Sequence, residues 1–449
     1  MGKKNGSFGR DYGKVVGKSN SDFPGWKGPG YVPKKAELEK KSKLKQKPAP
    51  VEESVESESE PEVSVEQQQV LLNIFKDNFS DLLTSDDLKP TLQEVKAALY
   101  ERDFTRAFGK EEYLEAYSVR WSPSRALAYH TILVDIRDHL RELSSLAKPD
   151  SSTKAGVLAS RPGLRSVCFG GGAAEVVAFG GYVRYLRDAE KEDDTADKFD
   201  GPSISEGPNS KGLEDGIEDA SPVSLGTSKS YTELLLLDCA KWEGPISILQ
   251  AGLTSPPAIS KYASSAARAA NLKNSLVSSS SFSTSFRLSD ALTLSQAELA
   301  SIIGQTPQLI TLLFTLNELY TTSIAKTTAY LLKLTIAAQP GTLLLVVDSP
   351  GNYSETSVGS GKDEATGEKK KYPMHWLLDH TMMGSSKVKS KPAGEEEGKA
   401  VEEGKEKETK ADWVKLVSED SKWFRIPAGL SYPIPLENMR YQIHLYRRV

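Results

Sequence analysis

Three consecutive glycines, Gly170-Gly171-Gly172, join an apolar run, Leu164 to Phe169, to a helical pattern that opens with Ala173-Ala174-Glu175. That order spells a strand, a tight turn and a helix. Glycine has no Cβ, so such a turn can take positive φ and let a ligand approach the backbone. The helix behind it presents unpaired N–H groups and the positive end of its dipole. The chemistry these residues suit is recognition of a nucleotide-like cofactor. Two further groups stand at strand ends: Asp238 closes the run Tyr231 to Leu237, and Asn317, Glu318 and Tyr320 follow the run Leu309 to Leu316.

Two cofactor classes compete for the turn, a dinucleotide and S-adenosylmethionine. A dinucleotide fingerprint reads G-x-G-x-x-G, and counted from Gly170 its last position is Glu175, whose carboxylate would repel a pyrophosphate. S-adenosylmethionine has no phosphate and carries a sulfonium and an ammonium, so Glu175 is tolerated or useful. The bland reading is a Gly-rich turn with no ligand. Asp238 follows the glycines at about the 20-residue spacing of a ribose-binding acid, once the Gly/Ser-rich stretch 188–230 is left out. Asp290, after the short run Phe286-Arg287-Leu288, is the candidate for the adenine amino group. Helix capping is the competing role for both acids.

Active sites of open α/β sheets lie beyond the carboxyl ends of the strands, which puts Asn317, Glu318 and Tyr320 over the transferred group. For Glu318 the competing role is a carboxylate favoured by a helix dipole. Arg120, Trp121, Arg125 and Tyr129 concentrate cationic and stacking groups around Pro123, where a helix capped by Ser122 begins. They read either as residues that line a base pocket or close over the cofactor, or as anchors of a helical cap to the core. His375 and His380 lack i, i+4 spacing and have no cysteine nearby, so no metal is expected.

Strand and helix patterns alternate from residue 151 onward, with apolar runs again at Leu309–Leu316 and Thr342–Val347. That alternation implies an α/β fold with a mostly parallel sheet. Before it, helical spacing runs from about Gln67 to 150 as an N-terminal helical cap. Residues 1–66 are expected to be a disordered tail, first basic and then acidic from Glu52 to Glu66. Lysines interleaved with Tyr12, Phe23, Trp26 and Tyr31 suit RNA, and equally a solubilising tail or an import signal. Disordered insertions are expected near 188–230, 355–371 and 385–411. The period-two pattern Tyr441–Arg448 reads as an edge strand, pairing with a strand around Trp423–Ile426 in a C-terminal antiparallel hairpin. Cys168 and Cys239 read as small buried residues in a reducing compartment. The apolar runs are too short to span a membrane, and a soluble monomer is expected.

In this order the motifs resemble a known family, the fungal methyltransferases that modify position 3 of a uridine in large-subunit (25S) ribosomal RNA. The resemblance runs from about Leu99 to Val449 outside the insertions. It is carried by Arg120-Trp121-Ser122-Pro123-Ser124-Arg125-Ala126-Leu127-Ala128-Tyr129, Phe169-Gly170-Gly171-Gly172, Asp238, Thr315-Leu316-Asn317-Glu318-Leu319-Tyr320, Asp348-Ser349-Pro350-Gly351 and Trp376-Leu377-Leu378-Asp379-His380-Thr381. It departs at Ala173-Ala174, where Pro-Gly or a similar turn is expected. It implies a Rossmann-like class I methyltransferase fold with a seven-stranded, mostly parallel sheet and helices on both faces. It also implies S-adenosylmethionine as cofactor, ribosomal RNA or a pre-ribosomal particle as partner, and a nuclear or nucleolar setting, with the cytoplasm as a second. On that reading Glu318 is the proton acceptor, Asn317 bonds a uracil carbonyl and Tyr320 is a stacking wall. Other classes that fit are a methyltransferase of a protein or small molecule, and a non-catalytic assembly factor that keeps the fold. A dehydrogenase fits least, given Glu175 and the terminal hairpin.

Overall fold

Ser64 and Gln67 exchange side-chain-to-backbone hydrogen bonds of 3.2 and 3.1 Å, a reciprocal cap that satisfies two donors at the start of helix α1 (Val65–Asn78). The computed structural model describes residues 63–146, 163–196, 231–257, 259–271, 274–350, 355–362, 369–384 and 412–449, all within one unit that starts at Pro61. The basic tract, most of the acidic linker and the stretches 197–230, 363–368 and 385–411 lie outside the described residues.

Six more helices complete the N-terminal part: α2 (Ser80–Thr84), α3 (Leu88–Tyr100), α4 (Phe104–Ala107), α5 (Glu111–Arg120), α6 (Ser122–Asp135) and α7 (Arg137–Leu146). Ser122 is the first residue of α6, not its cap. Trp121 holds the cap position without a side-chain bond, and Pro123 fits the first turn because its missing N–H would be unpaired there.

Strand β1 (Gly163–Phe169) leads through the glycine turn into α8 (Ala173–Ala196), which runs past residue 188 into the stretch read as an insertion. The chain continues through β2 (Tyr231–Asp238), α9 (Glu243–Thr254), α10 (Ser265–Asn271), β3 (Phe282–Leu288), α11 (Gln296–Ile303), β4 (Leu309–Leu313), α12 (Leu316–Thr322), α13 (Ile324–Ala337) and β5 (Leu343–Asp348). It then runs through β6 (Glu355–Lys362), β7 (Lys369–Pro373), α14 (Met374–Met383), β8 (Trp413–Phe424) and β9 (Met439–Arg448). The charged stretch 355–371 thus contributes β6 and β7, an antiparallel pair apart from the main sheet.

The main sheet has the order β3-β2-β1-β4-β5-β9-β8. β1 to β5 are parallel to one another, and β9 runs antiparallel to both neighbours. β9 is therefore an inserted interior strand, and β8 is the edge. Its polar residues misled the sequence reading: Gln442 and His444 are buried, so Tyr441 to Tyr446 is covered on both faces. Gln442 is tied down by donating to the Ser349 carbonyl at 2.7 Å.

Alternate residues of each central strand feed two cores. On one face Leu309 and Leu345 pack with the helical cap, α8 and α9. On the other, Ile310 and Val346 pack with α11 to α14. A strand buried on both faces shows a continuous apolar run, which is why β2, β4 and β5 stood out in the sequence. The segment between β8 and β9 wraps back over the cap, where Tyr432 donates to the Val119 carbonyl at 3.0 Å and Gln69 exchanges bonds of 2.9 and 2.8 Å with the Ser431 backbone.

Candidate cofactor and catalytic site

In sheet register Phe169 lies beside both Leu237 and Leu312, so the carboxyl ends of β1, β2 and β4 are level. The order of strands reverses between β1 and β4, and a crevice opens there in sheets of this kind. It holds a cavity of about 80 Å³ lined by residues from four places: the glycine turn, Asp238, the β4 end at Leu313-Phe314-Thr315, and the cap helices.

Gly170 has φ of +69°, and a Cβ there would lie 2.2 Å from Thr315 Oγ1, so only glycine closes the turn against β4. A Cβ on Gly172 would come within 3.2 Å of the Trp242 ring. The turn is thus shaped by its neighbours on both sides.

Three carboxylates reach this cavity: Glu175, Asp238 and Glu318. Glu175 accepts the Gly172 N–H at 2.9 Å and Asp238 accepts the Ala240 N–H at 2.6 Å. Burial pushes Glu175 up to about 7, Asp238 up to about 6 and Glu318 up to about 7, with Arg125 opposing the shift at Glu318. Removal from water disfavours each charge, and one cation is too few for three acids.

Arg125 is that cation. Its guanidinium lies 4.9 Å from the Phe314 ring centre and 5.5 Å from that of Tyr117. Burial works against its charge, but Tyr117 and Tyr129, and after them Glu318 and Glu175, hold its pKa above the ordinary value. Aromatic rings form the remaining wall: Phe108 and Tyr117 meet edge-on at 5.2 Å, and Tyr117 and Trp242 at 5.7 Å. Phe314 itself sits at φ +57°, a conformation that costs a bulky residue about 1–3 kcal/mol. Its N–H is held by the Val347 carbonyl at 2.7 Å.

Several residues singled out from the sequence meet here: Gly170, Gly172, Glu175, Asp238, Arg125, Tyr129 and Glu318. Gly171 sits in the turn with its back to β1, where a Cβ would meet Cys168 at 2.7 Å. Others lie elsewhere. Tyr320 is buried in the core on the opposite face of the sheet, because two residues on from Glu318 a helix points the other way. Asn317 does not line the cavity; its backbone N–H donates to Asp348 Oδ2 at 2.9 Å. Asp290 is exposed and caps a 3-10 turn by accepting the Leu292 N–H at 2.9 Å. Arg120 is ion-paired with Glu437, and with Trp121 it lines a separate groove. Cys239 is exposed, and only Cys168 is buried.

Phe108, Tyr117, Trp242 and Phe314 line the cavity without a sequence signal that set them apart from core residues, and Ser122 and Thr315 line it from within the motifs that carry the resemblance. Asp348 was the one legible omission. It is an acid ending a strand, it accepts the N–H groups of Asn317 and Ser349, and burial pushes it up to about 6. His375, Asp420 and His444 bring possible ligand atoms within 4.8 Å of one another. Both ring nitrogens of His444 are engaged there, by Ser418 at 3.1 Å and Gln442 at 3.2 Å, and His380 lies stacked on Trp376.

The donor set fits a cationic nucleoside. Carboxylates that burial leaves undercompensated are matched by positive charge and hydroxyls, and the rings by a purine or by a cation over their faces. At about 80 Å³ the cavity is smaller than the roughly 300 Å³ at which small-molecule pockets begin.

The family that the sequence matches agrees with that donor set. Residues 75–447 match a family model described as SAM-dependent methyltransferase. The chain is 28% identical over 386 residues to the 25S rRNA (uridine(2843)-N(3))-methyltransferase of Saccharomyces cerevisiae, a match covering 84% of this chain and 85% of that one. Among solved structures, a SAM-dependent methyltransferase from Methanosarcina mazei is 9% identical with a TM-score of 0.29, over 64% of this chain and 93% of that one. An O-methyltransferase family protein from Burkholderia thailandensis is 9% identical with a TM-score of 0.27, over 81% and 73%.

Proposed function

The chain belongs to the SAM-dependent methyltransferase family, and on that premise we propose that it methylates position 3 of a uridine in large-subunit ribosomal RNA. The observation that carries this reading is likeness along most of both chains to a relative with that named reaction. Glu318, the one of the three cavity acids of raised pKa whose carboxylate accepts no turn N–H among the described residues, supports it.

Position 3 of a neutral uracil bears a proton and is a poor nucleophile. The base must first leave any stack or pair, because its Watson–Crick edge is where the new bond forms. S-adenosylmethionine supplies, when bound, an electrophilic methyl on sulfur. Gly170, Gly172 and Asp238 would hold that cofactor, the glycines by allowing close backbone approach and Asp238 by accepting from its hydroxyls. Glu318 would take the proton from N3 as the N3–C bond forms and the methyl–sulfur bond breaks, the sulfonium leaving as a neutral thioether. A base of pKa near the working pH suits that step, and such transfers contribute about 10²–10⁴-fold. Arg125 offsets the negative charge that N3 deprotonation spreads onto the uracil oxygens. Phe108, Tyr117 and Trp242 exclude water. The working setting on this reading is nuclear or nucleolar, and the substrate is either free RNA or a pre-ribosome.

Nucleoside mass analysis of large-subunit ribosomal RNA, with and without this protein, tests the reading. Loss of one 3-methyluridine in its absence is expected. An unchanged 3-methyluridine content would leave a protein or small-molecule substrate, or a non-catalytic assembly role.

A further inference from the structure

A groove of about 730 Å³ has Trp121 in its lining, and that ring packs against Tyr117 of the cavity. Leu83, Leu88, Leu92, Leu99 and Ile434 form its apolar floor. Lys89, Gln93, Lys96 and Tyr100 also line it, spaced four, three and four residues apart along α3, so they make one stripe on one helix face. The Tyr100 ring is 82% exposed, although it is large and apolar enough to be buried elsewhere. Lys89 and Lys96 are exposed and have no ion-pair partner among the described residues. The other two charges in the lining, Arg120 and Glu437, neutralise each other. The groove therefore carries net positive charge. At its inner end Trp121 lies 5.1 Å from Tyr117, which is itself a wall of the cavity.

Free lysines beside an exposed ring, over an apolar floor, are the parts from which single-stranded nucleic acid sites are made. Phosphates take the lysines, and a base takes the ring by stacking. Resting on the function proposed above, we propose that this groove holds single-stranded RNA next to the target uridine, one flanking base stacked on Tyr100 and the adjoining phosphates on Lys89 and Lys96. The Trp121–Tyr117 pair then marks where the target nucleotide parts from its neighbours and enters the cavity. A purely apolar peptide would leave both lysines unpaired. The acidic stretch Glu52–Glu66 of this chain would pair them, and is the rival occupant.

The test uses the full chain and a fluorescein-labelled single-stranded fragment of large-subunit ribosomal RNA, with affinity read by anisotropy across a salt series. Lys89→Ala with Lys96→Ala, and separately Tyr100→Ala, change exposed side chains only. The double lysine variant is expected to bind this RNA about tenfold more weakly, with a salt slope lower by roughly 1.4. Tyr100→Ala is expected to weaken binding at least about fivefold. S-adenosylmethionine affinity stays the same in both. Wild-type protein that binds no RNA, or variants with unchanged affinity and slope, overturns the proposal. So does a photocrosslinker at position 100 that captures residues 52–66 and never RNA. Because the readout is binding, a protein that methylates no uridine yet loses RNA affinity in these variants keeps the groove and loses only the function proposed above.

Discussion

Glu175, Asp238 and Glu318 share one small cavity with a single guanidinium, and that imbalance is the most informative electrostatic feature of the molecule. Each acid has an ordinary structural role within reach, and Glu175 and Asp238 fulfil theirs by accepting turn N–H groups. Among the described residues the Glu318 carboxylate accepts no such turn N–H, and this leaves it to the cavity. Gly172 connects this chemistry to packing. In Gly172→Ala the new Cβ would crowd the Trp242 ring at 3.2 Å. The expected outcome is about tenfold weaker S-adenosylmethionine binding by calorimetry, from roughly 1.4 kcal/mol of overpacking, with the fold retained. These acids and glycines were legible because each ends or closely follows an apolar strand run. Phe108, Tyr117 and Trp242 were not, since an aromatic at helical spacing looks the same whether it faces a core or a ligand.

At the scale of elements, the turn from β4 into α12 decides where Glu318 points. Phe314 in the left-handed region breaks the strand, and Asp348 from the neighbouring β5 accepts the Asn317 N–H at the start of the helix. In Asp348→Ala two backbone N–H groups lose their acceptor, which costs about 1–3 kcal/mol where they are buried. Denaturant unfolding should report that loss. The rate of methyl transfer should fall more than cofactor affinity does, because α12 and Glu318 shift together. This turn also explains the misplaced Asn317 and Tyr320. The apolar run Leu309–Leu316 conceals the end of β4 at Leu313, and a short helix, unlike a loop, sends successive residues to different faces. β9 was misread for a related reason. Its buried Gln442 and His444 give an alternating pattern that an edge strand would share, and only the pairing with β5 and β8 places it inside the sheet.

Taken whole, the molecule places helices over the switch point of a doubly wound sheet, with the candidate cofactor cavity beneath them and a basic groove beside it. Among the described residues no helix is long and apolar enough to cross a membrane. The number and type of central elements could be read from local pattern, but the order in which strands pair is set by contacts far apart in sequence. The groove was equally hidden, since α3 meets the segment at Ile434–Glu437 only after the chain has closed on itself. The most direct test of the central claim is the single-turnover rate of 3-methyluridine formation against pH, at saturating S-adenosylmethionine, in the wild type and in Glu318→Gln. A base must be ionised to accept the proton, so a group pushed up to about 7 predicts a wild-type rate that climbs as pH rises through 7 and then levels. Glu318→Gln should be at least about 100-fold slower and lose that climb, while binding the cofactor normally. An equal rate in the two proteins, with the same pH profile, would contradict it.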